Sequence, residues 1–105
     1  MNIPETILRK ARAASRMTEE EFDKYIEGLK EEGKVYSLNF FIIDNVPDTV
    51  LNLCIEMYVQ YQIFAKIEYE DISADKLETL HNIIDAFNHN YEKRTPIVPG
   101  GVTFL

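Results

Sequence analysis

The sequence has one cysteine, no tryptophan, two histidines, and four each of glycine and proline in 105 residues. A single thiol, Cys54, excludes a disulfide within the chain, so stability must come from a packed core. Cys54 lies in the apolar run Val50–Tyr58, which places it as an inert buried thiol. It has no apparent base or helix N-terminus to activate it. The apolar-rich stretch from Val50 to Tyr69 is broken by Asn52, Glu56, Gln60, Gln62, Lys66 and Glu68. No segment reaches the roughly 20 apolar residues that a membrane span requires. The N-terminus lacks the basic start and apolar core of a secretory leader. A cytoplasmic location is the resulting expectation.

Basic residues are scarce. Eighteen acids face eleven bases, a net charge of -7. Nucleic-acid affinity rests mainly on Lys and Arg at phosphates, so the total argues against it. The imbalance is uneven. Residues 1–16 hold Arg9, Lys10, Arg12 and Arg16 against Glu5 alone, whereas the rest holds seventeen acids against seven bases. Also missing are a glycine-rich phosphate loop, a serine flanked by glycines, and a zincin His-Glu pattern. No catalytic residue or cofactor site is therefore assigned.

What is present suits one globular domain over residues 1–105. The hydrophobic fraction is 46%, with six Tyr and six Phe to bury, and a chain of this length can bury about two-thirds of its surface. Pro4 suits a first helical position, and Ile7, Leu8 and Ala11 give residues 4–14 an apolar stripe. Ser15 to Met17 is a break. Thr18 and Glu21 form a capping box that opens a helix over 19–32, with Phe22, Tyr25, Ile26 and Leu29 on its buried face. Gly33 reads as its C-terminal stop.

Residues 35–43 are rich in β-branched and aromatic side chains and read as a strand. Pro47-Asp48-Thr49 opens a helix to about Tyr58. Val59, Tyr61, Ile63, Ala65, Ile67 and Tyr69 then alternate with mostly polar residues, the period of a strand over 61–69. Asp71-Ile72-Ser73 reads as a turn, with Ser73 capping a helix over 73–92. Leu77, Leu80, Ile84, Phe87 and Tyr91 form its stripe, widened by Ile83. The tail 95–105 has two prolines, two glycines and five apolar residues. It is expected to dock, with a short strand at 102–105. The fold expectation is α+β, about four helices on a two- to three-stranded sheet. The alternative is mostly α with one long central helix at 49–69. Two helices followed by Gly33-Lys34-Val35-Tyr36 also resemble part of a winged-helix arrangement, without its third helix.

Three side-chain groups merit a functional reading. His81, Asp85 and His89 share one helix stripe and are competent metal ligands, although Asp85 and His89 also make an ordinary i, i+4 pair. Arg9, Arg12 and Arg16 share a face of the first helix. Glu20, Asp23 and Glu27, with Glu31, lie on the second, so the two helices can face each other through opposite charges or present them to a partner. Tyr36, Tyr58, Glu68 and His81 are the residues to inspect for a ligand pocket.

Size, acidity and absent catalytic motifs match small protein-interaction modules: inhibitors, immunity-type proteins, antitoxins and adaptors. The partner is then another protein, or a second copy meeting an edge strand or the tail. A nucleic-acid-associated regulator using Arg9, Arg12 and Arg16 is the second reading. A small-ligand binder or enzyme without a recognisable motif is the third.

Overall fold

The computed structural model describes residues 3–94, and these form four helices in sequence: α1 Glu5–Ser15, α2 Glu19–Leu38, α3 Asp48–Lys66 and α4 Glu70–Arg94. There is no strand among the described residues, so the α+β expectation is overturned. The architecture is that of the mostly-α alternative, with α3 as its central helix. The winged-helix resemblance falls with the missing wing. The docked tail at 95–105 and its strand at 102–105 lie outside the described residues. No described helix is long and apolar enough to cross a membrane.

Why the two expected strands are helical follows from packing. Gly33 does not stop α2. A Cβ at this position would come within 2.9 Å of the Tyr58 Cβ, so the missing side chain lets α2 and α3 approach closely. The helix continues through Val35 and Tyr36 to Leu38, and the Ser37 hydroxyl donates to the Gly33 carbonyl oxygen at 2.7 Å. Residues 40–43 form an irregular loop rather than a strand.

The alternation after Val59 misleads for a different reason. α3 packs against α1, α2 and α4, so it buries Leu51, Cys54, Tyr58, Val59, Gln60, Ile63 and Phe64. A helix covered on most sides loses its amphipathic period.

Two helix ends lack the glycine that usually marks them. Arg16 and Glu68 take left-handed backbone, with φ of 56° and 65°. Each sits in a paired turn: Met17 N–H donates to the Arg12 carbonyl and Arg16 N–H to Ala13, while Tyr69 N–H donates to Phe64 and Glu68 N–H to Ala65. This is the Schellman pattern, built on non-glycine residues. The second turn starts α4 at Glu70, so Asp71-Ile72-Ser73 is helical rather than a turn. Ser73 is buried inside the helix, and its hydroxyl donates to the Tyr61 carbonyl at 2.8 Å.

Two clusters make the core. One is mainly aliphatic: Ile3, Ala11, Phe22, Ile26, Leu29, Val59 and Ile63, flanked by Ile7, Leu8 and Ile67. It joins α1, the first half of α2 and the second half of α3. The other joins the end of α2, the following loop, the first half of α3 and the middle of α4. It contains Phe41, Val46, Leu51, Cys54, Tyr58, Leu80 and Ile84, flanked by Tyr36, Tyr61 and Phe87.

Candidate interaction groove

α1 and α2 are joined by only three residues, yet α1 packs chiefly on α3. The Schellman turn at Arg16 sends the chain around a corner, and the Thr18–Glu21 capping box, with bonds of 2.9 and 3.1 Å, fixes where α2 starts. On its other side α1 is tied to the α3–α4 corner. The Lys10 Nζ donates to the Tyr69 hydroxyl at 2.8 Å and lies 5.4 Å from the ring centroid. Ala11 is fully buried in the aliphatic core.

The result is an open groove of about 580 Å³ between α1 and α2. Glu5, Leu8, Arg9 and Arg12 line one wall; Glu19, Phe22, Asp23, Ile26, Glu27 and Lys30 line the other. Both sets follow i, i+3, i+4 spacing, so each is one continuous helix stripe. Phe22 and Ile26 are buried and Leu8 is half-buried, which makes the floor apolar. The charged groups stand along the rims.

Four of the six candidate partner residues meet here: Arg9, Arg12, Asp23 and Glu27. Arg16 is exposed at the left-handed turn, and Glu20 is exposed but does not line the groove. The internal pairing between α1 bases and α2 acids does not form. Among the described residues the ion pairs are Glu5–Arg9 at 3.9 Å and Lys30–Glu27 at 2.9 Å, each within one helix. None crosses the groove. The floor residues Leu8, Phe22 and Ile26, and the rim residues Glu19 and Lys30, had no separate signal in the sequence. A half-buried apolar residue beside a charge reads as core until the neighbouring helix is placed.

The second constellation lies at the other core. Tyr36, Tyr58 and His81 come together, as the ligand-pocket reading requires, but they are engaged with one another. The Tyr36 hydroxyl and His81 Nε2 are 2.7 Å apart, and the Tyr36 and Tyr58 rings are 5.3 Å apart. The Tyr58 hydroxyl donates to Glu32 Oε1 at 2.6 Å and accepts from Gln62 Nε2 at 3.0 Å. Phe40 closes edge-on over His81 at 4.8 Å. Glu68 is exposed in the α3–α4 turn, roughly 15 Å along α3 from Tyr58 at the helical rise.

Burial, then the Glu32 carboxylate, pushes the Tyr58 phenol up to about 12. Burial also raises Tyr36, with a smaller push from Tyr61. Cys54, fully buried, is pushed up to about 11. These shifts hold the groups protonated and unreactive at neutral pH.

Asn88 clamps the irregular loop: its Nδ2 donates to the Phe40 carbonyl at 2.9 Å, and its Oδ1 accepts from Ile42 N–H at 3.1 Å. His81 is turned to Tyr36, while Asp85 and His89 are exposed. Among the described residues no group of three or more His, Cys, Asp or Glu is placed to hold a metal ion.

No protein family, no curated protein and no solved structure matches this chain.

Proposed function

We propose that this protein is a small cytoplasmic protein-interaction module of the inhibitor, immunity-type, antitoxin or adaptor kind, acting without a cofactor or catalytic chemistry of its own. The observation that carries the reading is the α1–α2 groove: an apolar floor between charged rims that form no ion pair across it among the described residues. Partly buried apolar surface rimmed by polar groups is the usual anatomy of an interface. The aromatic end supports the reading from the other direction, because its hydroxyls and imidazole serve internal contacts rather than an open pocket.

The nucleic-acid reading is less well supported by the same surface. A phosphate backbone laid on Arg9 and Arg12 meets Glu19, Asp23 and Glu27 on the facing rim, and like charges repel at that range.

Affinity recovery from native cells tests the proposal. Tagged wild type is compared with Arg9→Glu/Arg12→Glu and with Glu19→Lys/Asp23→Lys/Glu27→Lys. Recovery of one stoichiometric protein by wild type, lost in both variants, is the outcome the proposal expects. Retention by both variants moves the interaction to another surface. Recovery of nucleic acid in place of protein replaces the proposal with the regulator reading.

A further inference from the structure

We infer that the α1–α2 groove receives an amphipathic helix of a partner protein, whose apolar stripe carries acidic residues along one flank and basic residues along the other. This rests on the interaction reading above and adds the chemistry of the occupant.

The secondary structure of the occupant follows from the walls. Both are α-helices with their backbone groups bonded internally, so the groove offers an incoming chain no row of free N–H and C=O groups. An extended peptide gains main-chain bonds only at a sheet edge, and here it would lose hydration without replacement. A helix arrives with its own backbone satisfied.

Its length follows from the lining. Residues 19–30 of α2 span roughly 17 Å at the helical rise, and residues 5–12 of α1 roughly 10 Å. Two to three turns of a partner helix therefore fit, with apolar anchors at i, i+3 or i+4, and i+7 over Leu8, Phe22 and Ile26.

Its charge pattern follows from the rims. Arg9 and Arg12 stand i, i+3 on one side, and Glu19, Asp23 and Glu27 stand i, i+4, i+8 on the other. A helix basic on both flanks meets the arginines, and one acidic on both flanks meets the carboxylates. Only a split pattern satisfies both rims, and like charges across an interface are a strong source of discrimination. Glu5 beside Arg9 and Lys30 beside Glu27 temper each rim without crossing to the other.

The test uses three designed helical peptides of about five turns, which share one leucine stripe and differ in their flanks: Glu/Lys, Lys/Lys and Glu/Glu. The full chain is titrated with each by fluorescence anisotropy. The Glu/Lys peptide is expected to bind at least about tenfold tighter than either uniform peptide. The order should then switch predictably. Arg9→Glu/Arg12→Glu should prefer the Lys/Lys peptide, and Glu19→Lys/Asp23→Lys/Glu27→Lys the Glu/Glu peptide. Circular dichroism confirms that these rim variants keep their helix content. Equal binding of the three peptides, no binding of any, or an unchanged order in the variants overturns the proposal. Light scattering that shows a dimer broken by Arg9→Glu/Arg12→Glu also overturns it, by giving the groove to a second copy. If the cellular partner is lost from the rim variants while the peptides fail, the interaction reading stands and the split-charge helix falls. If neither partner nor peptide responds to the rims, both fall.

Discussion

The two ends of this molecule are built from different materials. Around Ala11, Ile26, Val59 and Ile63 the packing is aliphatic and has no direction of its own. Around Tyr36, Tyr58, Leu80 and Ile84 it is threaded with directed bonds: Tyr36 to His81, Tyr58 to Glu32 and Gln62, and Asn88 to the 40–42 backbone. Aliphatic contacts tolerate small shifts, whereas each of those hydrogen bonds requires a set distance and angle. The aromatic end therefore fixes the α2–α3–α4 register. The aliphatic end lets α1 lean on α3 and leaves the groove beside α2. Rigid frame and interaction surface are separated along the central helix.

Cavity-forming substitutions test whether these ends are one folding unit. Ile63 and Leu80 are both fully buried, one in each cluster. Replacing either with Ala should cost about 2–5 kcal/mol. In urea denaturation both variants should keep a single transition with an unchanged slope. Two transitions in either variant would show that the ends unfold separately.

Two glycines in one helix sharpen the comparison. Gly33→Ala brings a Cβ within 3 Å of the Tyr58 Cβ and ring. These atoms sit close to the α3 backbone, so the helices must separate. Overpacking costs about 1–3 kcal/mol, more than the roughly 1 kcal/mol that alanine gains over glycine in a helix. At Gly28 nothing lies within 4 Å of the added carbon, so Gly28→Ala should stabilise by up to about 1 kcal/mol. Melting temperatures of the two variants should move in opposite directions.

Alkaline pH should affect the aromatic end first. Tyr58 rises from 10.0 to about 12 and Cys54 from 9.0 to about 11 on folding. A group raised in this way stabilises the fold fully below its unfolded value and loses that contribution as pH climbs through its folded value. Stability should be level up to about pH 9 and fall from there toward pH 12. Tyr58→Phe removes that residue's share of the slope above pH 10, along with its bonds to Glu32 and Gln62. A pH-independent urea midpoint between pH 8 and 11 would contradict the burial of these groups.

The helix starts were legible wherever side chains mark them. Thr18 and Glu21 give the capping box, and Leu80 and Ile84 of the predicted stripe are buried. The strands were misread because the signals used for them have second causes. Gly33 serves helix–helix approach rather than a stop. The alternation at 59–69 reflects a helix buried on most sides. The turns at Arg16 and Glu68 use left-handed residues that composition does not flag. Half of the groove was visible in the sequence: Arg9, Arg12, Asp23 and Glu27 were read as charged faces. Their arrangement across an apolar floor was not, because it depends on the Arg16 turn and on α1 resting against α3.

Photo-crosslinking in native cells tests the division between frame and surface most directly, with a benzophenone side chain placed at Asp23 in the groove or at Ile42 on the clamped loop. Both sites are exposed, so either can carry the probe. The account predicts one discrete adduct from position 23 and none from position 42. An adduct from position 42, with none from position 23, would contradict it.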